Sequence, residues 1–237
     1  MLVLNGGDEF HPGNDEQDRI LASAAGDRPA YVVPTAAARQ GPEQAVATAT
    51  KWFEKFGLAL RQLPVLKRAD ANSKDIAETA RGGGFFYMVG GDPGLVAQVL
   101  ARSRVWSAMF EAWLAGAALA GSSAGAMALC SHTLIRASWP NRFNRRPADA
   151  LGVVPDTAVL PHYDTFGHKW IESAQRELPA VTLLGIDERT AAVWRDGTWS
   201  AAGPGAITVI KGSDTMSFRS GEQIEGLAGP VRILPQQ

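Results

Sequence analysis

The chain has 237 residues, 46 % of them apolar, with a formal charge of −1 and a single cysteine. That length and apolar share suffice for a large core without disulfides, and the near-zero charge excludes an overall basic field of the kind that draws nucleic acid or an anionic membrane. Cys130 has no partner for an internal disulfide and argues for no metal cluster, which fits a reducing cytoplasm.

Residues 1–4, Met1-Leu2-Val3-Leu4, read as a first strand, too short and too poor in basic lead residues for a signal peptide. A helix follows over 15–25 and a second strand over 30–33, closed by Pro34. Ala45, Ala49, Trp52, Phe53 and Phe56 recur at helical spacing up to Gly57, and 58–63 alternates like a strand. Residues 85–89 form a buried strand that turns through Gly90-Gly91-Asp92-Pro93 into a helix. Leu95, Val96, Val99 and Leu100, then Trp106, Met109, Phe110 and Trp113, predict two helices broken near Ser103. Residues 117–120 are the next strand. The uncharged run 112–130 is rich in Ala, Gly and Ser and carries a turn signal, so it reads as a buried strand feeding a buried helix rather than a membrane span.

This βαβα rhythm predicts a three-layer α/β/α fold: a mainly parallel sheet with helices on both faces and its site at the carboxyl ends of the strands. Residues 131–150 look irregular, a surface loop carrying Arg136, Arg142, Arg145 and Arg146. From about 181 to 237 short runs (191–194, 206–210 and 231–234) suggest a β-rich C-terminal part of one domain spanning 1–237.

Gly121-Ser122-Ser123-Ala124-Gly125 lies between an apolar strand and an apolar helical run. A serine at such a junction occupies a sharp turn that exposes its hydroxyl above the sheet edge. Ser123 is therefore the candidate nucleophile, with Ser122 as the fallback. The amide of Ala124 is the natural first oxyanion donor, and Gly90 and Gly91 offer side-chain-free amides at a neighbouring strand end.

A serine needs a base, and the chain holds four histidines, His11, His132, His162 and His168. His162 follows the apolar run 157–160 and Pro161, at a strand end where the site belongs, and is taken as the base. For the acid, Asp164 stands in an H-x-D spacing beside it, although an Asp there could also cap a helix starting near Thr165. Asp149, Asp156 and Glu188 stay open, with Asp187-Glu188 read by preference as a turn between strands. Arg142, Arg145 and Arg146 could bind a substrate carboxylate bidentately, against the plainer reading of a solvated charged loop.

Four segments together resemble the serine peptidase family of cyanophycinase and alpha-aspartyl dipeptidase (dipeptidase E). They are Tyr87-Met88-Val89-Gly90-Gly91-Asp92, Gly121-Ser122-Ser123-Ala124-Gly125-Ala126, Val159-Leu160-Pro161-His162-Tyr163 and Leu184-Gly185-Ile186-Asp187-Glu188-Arg189-Thr190-Ala191. The resemblance spans nearly the whole chain. It implies a type 1 glutamine amidotransferase-like fold with serine in place of cysteine, and hydrolysis of peptide or isopeptide bonds next to aspartate without metal or organic cofactor. It also implies Ser123 as nucleophile, His162 as base, and Gly90, Gly91 and Ala124 around the oxyanion, with Asp92 in the matching substrate loop.

Two departures stand out. The family places its acid between serine and histidine, where this chain has Ser138-Trp139-Pro140-Asn141 and no carboxylate. The arginines that follow the histidine in cyanophycinases are replaced by Thr165-Phe166-Gly167-His168-Lys169. The leading expectation is a cytoplasmic serine hydrolase acting on a small peptide or acidic small molecule. Two competing expectations are a catalytically impaired relative that binds an acidic metabolite or a protein partner, and an esterase or amidase on a non-peptide substrate. No nucleic acid or membrane partner is expected, and a homodimer stays open.

Overall fold

The structure is a computed structural model that describes residues 1–137 and 145–234. In chain order the first half runs β1 (Leu2–Asn5), α1 (Asp15–Ala24), β2 (Ala30–Val33), α2 (Pro42–Glu54), β3 (Leu60–Gln62), α3 (Arg68–Ala71), α4 (Lys74–Arg81), β4 (Phe85–Met88), α5 (Pro93–Leu100), α6 (Arg104–Leu114), β5 (Ala118–Ser122) and α7 (Ala124–Leu129). The second half runs β6 (Cys130–Arg136), β7 (Arg145–Asp149), β8 (Val154–Leu160), α8 (Ile171–Glu177), β9 (Thr182–Ile186), β10 (Ala191–Arg195), β11 (Thr198–Ala202), β12 (Ala206–Lys211) and β13 (Asp214–Arg219).

The first sheet has the order β11-β10-β1-β5-β4-β2-β3, parallel through its five early strands and antiparallel at β10 and β11. β1, β2, β4 and β5 are buried along their whole length because both faces of the sheet are covered there. The strand period of two divides them cleanly. Leu2, Leu4, Val33, Phe86, Met88 and Leu119 face a core shared with α4 to α7 and the second sheet. Val3, Val32, Phe85, Tyr87, Ala118 and Ala120 face Leu21 of α1 and Trp52 and Phe53 of α2. Each large side chain so buried contributes roughly 1.5–3 kcal/mol. The expected break between α5 and α6 is present, with the Ser103 hydroxyl accepting from the Trp106 amide at 3.1 Å.

The second sheet has the order β13-β12-β9-β8-β6-β7, with β6, β8 and β9 parallel. It revises two expectations. The stretch 131–150 is not simply a loop: β6 and β7 pair antiparallel from His132↔Asp149 to Arg136↔Arg145. Thr133, Leu134 and Ile135 supply the β-favouring side chains, and Thr133 and Leu134 are buried. The C-terminal β-structure is also divided, because β10 and β11 complete the first sheet while β9, β12 and β13 belong to the second. Residues 231–234 form no strand; Val231 only donates one backbone hydrogen bond to Val153, at 2.8 Å. Among the described residues no helix is long and apolar enough to cross a membrane.

Candidate active site

Two carboxyl-terminal strand edges, one from each sheet, meet at the site. β5 ends at Ser122 and α7 begins at Ala124, which leaves Ser123 alone in the turn at φ 48°, ψ −109°. A non-glycine residue there is strained, and such strain collects where geometry serves function. The flanking glycines allow it. A Cβ at Gly121 would run into the backbone of Gly125, and one at Gly125 into the carbonyl of Met88.

His162 lies two residues beyond β8 and also has a positive φ, 49°. Its amide donates to the Gly6 carbonyl at 2.7 Å, and its own carbonyl accepts from the amides of Thr165, Phe166 and Gly167. That backbone anchoring turns the imidazole back toward the first sheet. Nε2 comes to 3.1 Å from Ser123 Oγ, and Nδ1 to 2.7 Å from Glu188 Oε1. The ring and the carboxylate are each about four-fifths buried, at 20 % and 22 % side-chain exposure, enough to limit solvent screening of their contact.

The carboxylate on the imidazole thus belongs to Glu188, not Asp164. Asp164 is exposed, and its Oδ1 accepts from the Glu188 amide at 3.0 Å, holding the backbone of the residue that does reach the ring. The preferred reading of Asp187-Glu188 as a mere turn is corrected as well. Asp187 does serve the turn, accepting from the Ala206 amide at 2.8 Å. Asp149, on β7, and Asp156, on β8, do not touch the ring in the described structure. Leu160 of β8 stands opposite Gly185 of its parallel neighbour β9, so the residues just past the two strand ends share one rim, a pairing that no local pattern in the sequence announces.

Among the remaining histidines, His11 pairs with Asp8 at 3.2 Å, His132 sits on β6 against the Ser131 hydroxyl at 2.9 Å, and His168 donates to the Tyr163 carbonyl at 2.8 Å. Ser122 is fully buried and donates to Glu9 Oε2 at 2.9 Å, so the fallback nucleophile faces away from the imidazole.

The expected oxyanion donors divide. Ala124 and Gly91 line the same cavity as Ser123 and His162, of about 270 Å³. The Gly90 amide donates to Glu9 Oε1 at 2.8 Å and is committed there. Asp92 caps α5: its Oδ1 accepts from the amides of Gly94 and Leu95 at 3.0 and 3.2 Å.

Arg145, the first residue of β7, lines that cavity too. A stack leads to it from the imidazole: His162 on Phe166 at 4.8 Å, Phe166 beside Trp170 at 5.5 Å, and the Arg145 guanidinium 4.3 Å over the Trp170 ring. Burial pulls the Arg145 pKa below the usual arginine value, with nearby Arg136 acting the same way and Asp92 opposing. Its Nε and the indole Nε1 of Trp170 are both buried without a hydrogen-bond partner among the described residues. Arg142 lies outside the described residues. Among the described residues no three His, Cys, Asp or Glu side chains gather into a group that could hold a metal ion.

The model for peptidase family S51 matches residues 1–201. Cyanophycinases of Synechococcus elongatus and Thermosynechococcus vestitus (strain NIES-2133 / IAM M-273 / BP-1) are each 29 % identical over 168 residues, covering 66 % of this chain and 52 % of theirs. The chain therefore spans about half the length of these curated relatives. The crystal structure of a peptidase from an acI-B1 Actinobacterium superposes with a TM-score of 0.80 at 31 % identity, covering 94 % of this chain and 95 % of that one. A peptidase E protein from Listeria monocytogenes EGD-e shares the fold, with a TM-score of 0.55 at 20 % identity over 92 % of this chain and 97 % of that one.

Proposed function

Because the chain belongs to peptidase family S51, we propose that it is a serine hydrolase cleaving a peptide or isopeptide bond of a small aspartyl-containing substrate through an acyl-enzyme on Ser123. The observation that carries this reading is the line Ser123 Oγ to His162 Nε2 at 3.1 Å and His162 Nδ1 to Glu188 Oε1 at 2.7 Å. Nucleophile, base and orienting acid are each within reach of the next, as nucleophilic catalysis requires.

In this scheme His162 Nε2 takes the Ser123 proton as Oγ bonds to the substrate carbonyl carbon. The carbonyl oxygen becomes an oxyanion beside the amides of Ala124 and Gly91. Glu188 accepts from Nδ1–H throughout and compensates the imidazolium. Collapse breaks the carbon–nitrogen bond, and the imidazolium returns its proton to the leaving amine. Water then repeats the sequence on the ester and frees Ser123.

Arg145 is proposed as the receptor for the substrate's carboxylate. A guanidinium held over an indole in the same cavity as the nucleophile suits a carboxylate in both charge and shape. The curated relatives' name, cyanophycinase, is consistent with an aspartyl substrate. The carboxylate on His162 also takes away the main support for a catalytically impaired relative, namely the absence of an acid at 138–141.

A fluorophosphonate probe tests the nucleophile: labelling is expected on the wild type and on Ser122→Ala, and absent from Ser123→Ala. Failure to label folded wild-type protein would overturn the reading. A panel of aspartyl and neutral dipeptides tests the substrate, with a preference for aspartyl peptides that Arg145→Ala abolishes; equal turnover of both classes by the wild type would remove the role given to Arg145.

A further inference from the structure

The carboxylate of Glu9 is not used by the scheme above, yet it bonds directly to the residue before the nucleophile. It stands in the loop between β1 and α1 and makes two contacts at once. Oε1 accepts from the Gly90 amide at 2.8 Å, and Oε2 accepts from the Ser122 hydroxyl at 2.9 Å. One oxygen thus holds the loop after β4 and the other holds the end of β5. The two strands are parallel neighbours, with Met88 opposite Gly121, but their hydrogen-bonded register stops there. Beyond it Glu9 ties the diverging backbones together.

The same loop reaches the other half of the site. The Gly6 carbonyl accepts from the His162 amide at 2.7 Å, the Gly6 amide donates to the Thr190 carbonyl at 2.9 Å, and the Gly7 carbonyl accepts from the Arg189 amide at 2.9 Å. Residues 6 to 9 therefore contact the oxyanion loop, the elbow, the base and the segment that carries the acid. The far side of that loop is fixed by Asn14, whose Nδ2 donates to the Asp8 and His11 carbonyls at 2.8 and 3.0 Å.

We propose that Glu9 is a positioning residue: by clamping Gly90 to Ser122 it sets where Gly91 stands relative to Ser123, and so holds the oxyanion donor in place without touching substrate. The reason is geometric. A Cβ at Gly90 would lie 2.8 Å from Glu9 Oε1 and 3.5 Å from Ser123 Cβ, so the clamp and the nucleophile flank the same peptide. Gly91, one residue on, lines the reaction cavity with Ala124. An oxyanion donor works only if held at hydrogen-bond distance from where the charge develops, and an error near 1 Å costs about 100-fold.

This inference rests on the reading of Ser123 as nucleophile, and the test separates the two. The rate of fluorophosphonate labelling is resolved into kinact and KI for the wild type and for Glu9→Ala, Glu9→Asp and Glu9→Gln, with thermal melts to verify folding. Glu9→Ala removes the clamp and Glu9→Asp is too short to span both partners. Each is expected to lower kinact about 10- to 100-fold with little change in KI. Glu9→Gln should recover most of the rate, because its amide oxygen accepts from Gly90 while its NH2 donates to Ser122 Oγ. If Glu9→Ala does not fold, the contrast between the Asp and Gln variants decides. Wild-type rates in a folded Asp or Ala variant would overturn the clamp alone, as would a Gln variant as slow as the Asp variant. A wild type that does not label would overturn both this inference and the nucleophile it rests on.

Discussion

Replacing Glu188 with Gln removes one charge from the imidazole's partner and changes almost nothing in shape. The loss can be worked from the contact. At 2.7 Å and an effective dielectric near 20, a carboxylate and an imidazolium attract by about 6 kcal/mol. In the proposed scheme the imidazole gains its charge from the serine proton, so this attraction stabilises the transition state and the tetrahedral intermediate. Residual exposure of the pair, about one-fifth for each side chain, trims the figure. A loss of about 10³- to 10⁴-fold in kcat/KM is expected for Glu188→Gln, in the range found when a triad acid is neutralised. Asp164→Asn keeps an oxygen to accept from the Glu188 amide and should cost no more than about fivefold. Both can be read by steady-state kinetics on an aspartyl dipeptide, or by labelling rates where turnover is slow. A Glu188→Gln enzyme within tenfold of wild type, or an Asp164→Asn enzyme as damaged as it, would refute the assignment of the acid.

Three further outcomes follow from the packing. Gly7 has φ 116°, and a Cβ there would overlap the His162 ring; Gly7→Ala should therefore cut labelling of Ser123 by about 100-fold or more, measured against the melting temperature. Asp18 on α1 is buried with Trp52 Nε1 donating to it at 2.8 Å, and burial pushes its pKa up to about 8 despite that bond. Its folded value lies above its unfolded one, so the stability it contributes is complete below about pH 4 and is lost as pH rises toward 8. Asp18→Asn removes that dependence, and its stability relative to wild type should climb by about 1.4 kcal/mol per pH unit between roughly pH 5 and 8, read from urea denaturation; parallel profiles would refute it. Cys130 is fully buried, and that burial pushes its thiol pKa up. A disulfide reagent such as DTNB should leave it unmodified in the native protein and react promptly after denaturation.

Much of the site is legible in the sequence where the chemistry is local. The elbow needs only a strand, a tight glycine-flanked turn and a helix in immediate succession, all contained in residues 118–129. His162 is legible for a similar reason, as a residue just past an apolar run. The acid is not, because 26 residues separate it from the histidine and only the pairing of β8 with β9 brings them together. Asp164 has the more persuasive spacing and the wrong direction, since three amides bonding back to the His162 carbonyl turn the chain there and leave its carboxylate facing the Glu188 backbone. Asp92 suggests a ligand contact by its position, but the same residue type at the same place also caps a helix, and two amides claim its Oδ1.

What residue order determined here is whatever a few neighbouring residues can enforce through backbone geometry and apolar period: the strands of the first half and its helices other than α3 and α4, the strained turn at Ser123, and the strand end at His162. Tertiary structure alone decided that the second-half strands divide between two sheets, that Glu188 meets the imidazole, and that Glu9 joins a loop and a strand end that both lie more than 80 residues away from it. The reason is physical. A hydrogen bond between side chains distant in sequence depends on strand order and register, which are set by the packing of the whole core and leave no periodic mark on the residues that finally touch.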